Sequence, residues 1–245
     1  MAQQSTALSN SEDAFTFRKR GKDINRIEAF SDAVFAFSLT LLVVSVDVPN
    51  DFQALMDKLS NFGFFALCFA LFITIWLQHF SFFRRYGLTD NLTILINALL
   101  LLVLLYFVYP LKFLFTPSHE ILTFEQGRTL FLLYGSGFAA IYSLFALLFL
   151  NAYRLRKSLE LTRVELFDTR SGVWANLLVA AVGVGSMVLA HFPQTISASG
   201  YFYFAIVPIR WGYGILARRR RDVLVAAERK RLAAANATPQ ATAGA

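Results

Sequence analysis

Six apolar runs, each close to the ~20 residues that a bilayer demands, divide this chain. They extend from about Ile27 to Val48, Asn61 to Phe83, Asn91 to Phe115, Thr129 to Tyr153, Gly172 to Phe192 and Tyr201 to Ala217. Of the 245 residues, 56% are hydrophobic and only 16% charged, whereas a soluble domain of this size is about a quarter charged. The runs therefore predict an all-α, polytopic membrane protein with six transmembrane helices. Pro49-Asn50-Asp51 ends the first run, because proline cannot continue a helix and Asn-Asp favours a turn. Arg84-Arg85-Tyr86-Gly87 closes the second, and Pro110 is expected to bend the third.

The basic residues orient the spans. One set of loops and both ends of the chain hold the clusters Arg18-Lys19-Arg20, Arg84-Arg85, Arg154 to Arg170 and Arg218-Arg219-Arg220-Arg221. The opposite loops hold only Lys58, Lys112 and Arg128. The alternation holds through every loop, so positive-inside places both termini in the cytoplasm. The net charge of +7 then reflects topology, and no nucleic-acid partner is expected, since no motif for one appears. Residues 1–25 read as a cytoplasmic, partly disordered N-terminal segment without the core and cleavage site of a secretory signal. Residues 26–217 read as one six-helix transmembrane domain. Residues 218–245 read as a basic, disordered cytoplasmic tail, because its Ala, Thr, Pro and Gln bury nothing. The single cysteine, Cys68, lies inside an apolar run and reads as a packing residue.

Charges near the head of a membrane helix are costly unless paired or wetted. The first run nonetheless carries Arg26, Ser31 and Asp32 there. The second carries Trp76 and His79, three apart and so on one face. The third opens at Asp90 and carries Asn97 two turns on. These groups fall near one depth on three spans, which predicts a polar network fixing the first span against its neighbours. Capping and anchoring at the membrane interface is the plainer alternative for Ser31 and Asp32. In the sixth run Arg210 lies inside the membrane; it is either paired or snorkels to the basic end. Gly183, Gly185 and Ser186 read as close helix packing.

The run Arg26-x-x-x-Phe30-Ser31-Asp32 resembles the signature of the transmembrane protein 175 family of potassium channels, in its bacterial single-repeat form. Ala33-Val34-Phe35-Ala36 and Thr40-Leu41-Leu42-Val43 fit the same first span. Trp76, His79, Asn97 and Pro110 are similar to the family's pattern in the next two spans. The resemblance covers about Arg26 to Pro110. It implies a tetramer of six-helix subunits in a bacterial inner membrane, conducting monovalent cations with a preference for K⁺. No Thr-Val-Gly-Tyr-Gly filter is present, as in that family. The resemblance places the constriction on the first span, with its first apolar residue at Phe37, where the family usually has Ile or Leu. A threonine linked to potassium preference falls on Thr40. Helical spacing adds Leu41 and Val44 to the Phe37 face, although spacing alone also allows that face to meet lipid or a neighbouring helix. Leu39 and Val43 are expected to pack on the subunit's other helices. The polar network then comprises Arg26, Phe30, Ser31, Asp32, Trp76, His79 and Asn97.

The expected function is thus a potassium-preferring ion channel with an apolar constriction, needing no cofactor beyond the permeant K⁺. An apolar ring gates by dewetting, and conduction needs sites weak enough to leave. The alternatives are a secondary transporter, which should show broken helices in paired repeats, and a non-conducting structural membrane protein. An enzyme is not expected: His79, His119 and His191 lie at both faces, so no nucleophile-and-base pair or metal cluster assembles.

Overall fold

The computed structural model describes residues 17–21, 25–44, 51–53, 56, 62–113 and 123–237, and every described element is helical. The long helices are α1 (Arg26–Val44), α2 (Phe62–Tyr86), α3 (Asn91–Phe113), α4 (Phe124–Arg154) and α5 (Arg163–Leu189). A short α6 (Ile196–Tyr201) and a 3₁₀ turn (Phe202–Ala205) lead into α7 (Ile206–Ala237).

Local chemistry sets the boundaries. Thr123 and Thr162 open α4 and α5 with reciprocal capping boxes to Gln126 and Glu165, which satisfy backbone donors that a helix start leaves orphaned. Helix α2 stops at Gly87, whose φ of 57° is the left-handed geometry glycine adopts without penalty. Its amide donates back to the Phe83 carbonyl at 2.8 Å. Asp90 then caps α3, accepting from the Thr93 amide at 3.2 Å and from Asn151 Nδ2 at 3.0 Å. Burial alone would raise this carboxyl's pKa, but the bonds from Thr93 and Asn151 outweigh it and hold it below the usual range.

Helices α4 and α5 form the most extensive pair. At their crossing, a Cβ on Gly135 would lie 2.8 Å from the Gly183 carbonyl oxygen, and a Cβ on Gly183 equally close to that of Gly135. Only glycine permits this approach, and small residues are what draw membrane helices together. Gly185 similarly accommodates the Phe202 ring, and Ser186 Oγ donates to the Ser199 carbonyl at 3.0 Å. The core between α2, α3 and α4 is aromatic and leucine-rich, with Phe72, Phe82, Tyr86, Leu104 and Phe145 fully enclosed.

Among the described residues, four helical segments are long and apolar enough to cross a membrane: Phe65–Tyr86, Asn91–Leu111, Phe124–Arg154 and Arg163–Leu189. Helix α1 carries Arg26, Glu28 and Asp32 in its first turns, and residues 45–48 of the first apolar run lie outside the described residues. The last run differs from expectation. It is not one helix from Tyr201 to Ala217 but α6, the 3₁₀ turn and α7.

The charged ends also differ. Helix α7 continues to Ala237, so the segment from Arg218, expected to be disordered, is helical through most of its length. Absence of a buriable face does not preclude a helix when Ala, Arg, Glu, Lys and Leu, all strong helix formers, dominate the stretch. Arg221 anchors this extension to Asp168 at 3.1 Å. At the other end, Phe17 to Gly21, expected within a partly disordered segment, lie as a strap across the ends of α2 and α5. The Arg20 and Gly21 amides donate to the Arg85 and Arg84 carbonyls, and the Phe17 ring meets Tyr86 edge-on at 5.3 Å. Residues 1–16, 22–24 and 238–245 of the two terminal segments lie outside the described residues.

Candidate permeation face and its polar anchor

Helix α1 has two unlike faces. Ser31, Phe35, Ser38 and Leu42 are buried against α2 and α3. Ala29, Ala33, Ala36, Phe37, Thr40 and Val43 are exposed at three- and four-residue intervals, so they form a continuous stripe along one side. Two aromatic rings stand on this side, Phe30, 65% exposed, and Phe37, 57% exposed.

The buried face is held by hydrogen bonds in series. His79 Nε2 lies 2.8 Å from Asn97 Oδ1. Asn97 Nδ2 donates to Ser31 Oγ at 2.9 Å, and Ser31 Oγ donates to the Ile27 carbonyl at 2.8 Å. Since the Asn97 amide nitrogen is spent on Ser31, its oxygen must accept, and His79 must carry its proton on Nε2. All three side chains are at least 97% buried. The His79 ring is packed between Phe35 and Phe83, so no water is needed to satisfy the series. Beside it, Trp76 Nε1 donates to Asp32 Oδ1 at 2.8 Å, and the indole stacks on Phe80.

The structure thus brings together Ser31, Asp32, Trp76, His79 and Asn97 from three helices. It leaves two expected members outside the network. Arg26 is exposed at the first turn of α1, and none of these bonds reaches it. Phe30 is 65% exposed and lies on the bare side. Asp90 shares a helix with Asn97 but bonds Thr93 and Asn151 instead. On the other face, Phe37 and Thr40 are exposed, whereas Leu41 is partly buried against the core. One hundred degrees per residue explains this: Leu41 falls at the edge of the stripe, on the side turned toward the neighbouring helices. Leu39 packs on the core as expected, but Val43 is 49% exposed. The side chain of Val44 lies outside the described residues.

A second polar centre was not legible in the sequence. Glu165, 2% exposed at its side chain, takes a bidentate pair from Arg20 at 3.1 and 2.9 Å. The Arg18 amide and the Thr162 amide also donate to it, each at 2.9 Å. Each carboxylate oxygen therefore accepts two bonds. Tyr86 and Thr169 extend the centre; Thr169 Oγ1 donates to the Glu165 carbonyl, so the Tyr86 hydroxyl donates to Thr169 at 2.8 Å. The capping pattern Thr162-x-x-Glu165 was the one available signal.

The polar series should be structural. Asn97→Ala leaves the His79 Nε2 proton without an acceptor, at a cost of about 1–3 kcal/mol for the orphaned group, and removes one of the two bonds at Ser31. Asp32→Ala removes one bond at an exposed site and should cost less. Thermal melting in detergent checks the ranking; an Asp32→Ala protein that assembles normally but changes only ion preference would make Asp32 a group that meets the ion.

Long apolar helices with hydrogen-bonded polar groups between them make this an integral membrane protein, helical throughout its described elements. Comparison with known proteins assigns it more closely. Residues 26–110 match the family model described as "Endosomal/lysosomal potassium channel TMEM175". A "Potassium channel" of Marivirga tractuosa is 40% identical over 232 residues, covering 85% of this chain and 94% of that protein. The chain belongs to the TMEM175 family. Its fold is similar to the crystal structure of a variant of the potassium channel MtTMEM175 bound to a nanobody–MBP fusion, with a TM-score of 0.73 and 38% identity over 83% of this chain and 97% of that one. A lysosomal potassium-selective channel TMEM175 homolog from Chamaesiphon minutus shares the fold at a TM-score of 0.57 and 22% identity, over 77% of this chain and 96% of that one.

Proposed function

We propose that this chain is a subunit of a potassium-preferring channel in which several copies of α1 surround one pore. The observation that supports this reading most is the bare stripe of α1, opposite a face bonded to α2 and α3. One α1 cannot encircle anything, so the stripe must meet copies of itself, and closed cyclic symmetry is the default for such assemblies. The number is four in this reading, taken from the family resemblance, with each subunit crossing the membrane six times. Both termini then lie in the cytoplasm, and the membrane is a bacterial inner membrane.

In that arrangement Phe37, two turns inward from the exposed Phe30, forms the apolar constriction. Thr40 lies one turn beyond it. Its hydroxyl donates to the Ala36 carbonyl at 2.9 Å, which directs the oxygen's lone pairs outward as acceptors. Four such oxygens would hold water or a partly dehydrated monovalent cation beside the apolar ring. Leu41, at the stripe's edge, packs behind Phe37, and Val44 continues the line. No cofactor takes part in this scheme.

Reversal potentials of purified protein in liposomes under K⁺ and Na⁺ gradients test the reading. The expected result is potential-driven flux without a coupled ion, with K⁺ preferred. Coupled or potential-insensitive flux would favour a transporter, and a native mass below that of four chains would exclude the tetramer.

A further inference from the structure

Away from the bare stripe, α2, α5 and α7 enclose a cleft of about 700 Å³. All three helices grade in the same direction. Arg85, Asp168 and Arg221 lie at one end, and Leu77, Leu178 and Ile209 at the other. Arg210 stands at that inner level beside Ile209, three turns inward from Arg221 along α7. At its level, Gln78 Nε2 donates to Asn176 Oδ1 at 2.6 Å, and Arg210 Nη2 donates to Gln78 Oε1 at 3.4 Å. The Tyr142 hydroxyl also bonds Arg210. Among the described residues no carboxylate lies within ion-pair distance of Arg210. Asp168 is the one acid lining the cleft, and it bonds Arg221. The walls thus carry three arginines, Arg85, Arg210 and Arg221, against one carboxylate that Arg85 and Arg221 share, so the cleft keeps a net positive charge and Arg210 has no acidic counterpart on its walls.

An arginine beside apolar membrane segments calls for a counter-charge. The end of the cleft at Arg85 belongs to the arginine-rich side, which positive-inside assigns to the cytoplasm, where anionic lipids are concentrated. We propose that the cleft binds the headgroup of an anionic phospholipid. Its phosphate sits between Arg85 and Arg210, within reach of the exposed Ser81 hydroxyl. Its acyl chains run over Leu77 and Leu178, which are 49% and 38% exposed. Arginines beside exposed apolar walls at Leu77 and Leu178 match an amphiphile and not a small anion. The proposal depends on α2 and α5 lying in a membrane and not on where the pore is.

Native mass spectrometry of the full-length protein, released from detergent in the presence of phosphatidylglycerol or of phosphatidylcholine with the same chains, tests this. The wild type should retain phosphatidylglycerol in preference. Arg210→Gln and Arg85→Gln should each weaken that lipid by roughly fivefold, the worth of one arginine near anionic headgroups. Arg210→Lys should keep the preference. Arg219→Gln, exposed on α7 outside the cleft, should leave it unchanged. If Arg210→Gln does not fold, Arg85→Gln carries the test. Equal retention of the two lipids would overturn the proposal, as would an undiminished preference in Arg85→Gln. Glycerol phosphate displacing the lipid as well as phosphatidylglycerol itself would show that the walls do not read chains, and would overturn the lipid assignment.

Discussion

Phe37→Ala should raise single-channel conductance severalfold and weaken the preference for K⁺ over Na⁺. The side chain stands beside Ala33, Ala36 and Thr40, with the other exposed ring, Phe30, two turns away, so no neighbour at its own level of α1 is large enough to replace it. In the proposed tetramer, four phenyl rings around one pore would make a narrow, dewetted collar, and removing them would admit hydrated ions that the collar rejects. Stability should change little, because Phe37 is 57% exposed within the subunit. Leu39→Ala is the control. Leu39 packs on the core, and its truncation should cost about 2 kcal/mol, at the low end for a buried leucine, with conductance unchanged. Recordings from planar bilayers separate the two variants. Silent Phe37 variants beside altered permeation in Leu39→Ala would mean that the pore lies on the other face.

Glu165→Ala should be the most destabilising single change at the arginine-rich end of the helices, by about 3–5 kcal/mol, because it strands the partly buried Arg20 guanidinium without its partner. It also leaves the Arg18 and Thr162 amides without an acceptor. Arg20 is 18% exposed at its side chain, so water offsets only part of the loss. The double variant with Arg20→Ala should be less damaging than the sum of the singles, since the stranded charge is then gone. Thermal melts of the four proteins measure the coupling. Strict additivity would show that the pair contributes nothing beyond its separate contacts.

Sequence reasoning reached the membrane helices because a bilayer imposes length and apolarity on each segment separately. It reached Ser31, Asp32, Trp76, His79 and Asn97 for a related reason: a polar group inside an apolar run is conspicuous, and matched depth suggests partners. Glu165 was not conspicuous. It sits among Arg154, Arg156, Lys157, Glu160 and Arg163, where one carboxylate resembles the rest until the strap brings Arg20 to it across 145 positions of chain. Arg26 shows the converse, a conspicuous charge whose side chain turns away from the network. The edge position of Leu41 needed the burial pattern, since four-residue spacing from Phe37 does not distinguish the middle of a stripe from its margin. The helix through Arg218 and beyond was missed because propensity was set aside in favour of burial.

The hydrogen bonds from His79 through Asn97 and Ser31 to Ile27 all point the same way, so they act as a registration mark. Each donor has one acceptor to reach, and none can be reversed without moving the others. Sliding α1 by one residue against α2 and α3 would rotate its outward side by about 100° and bring Phe30 or Asp32 to where Ser31 belongs. Neither could complete the series. The three bonds therefore do more than hold a helix in place: they index which residue faces outward at every level, and an error there would be copied into each subunit of a symmetric ring.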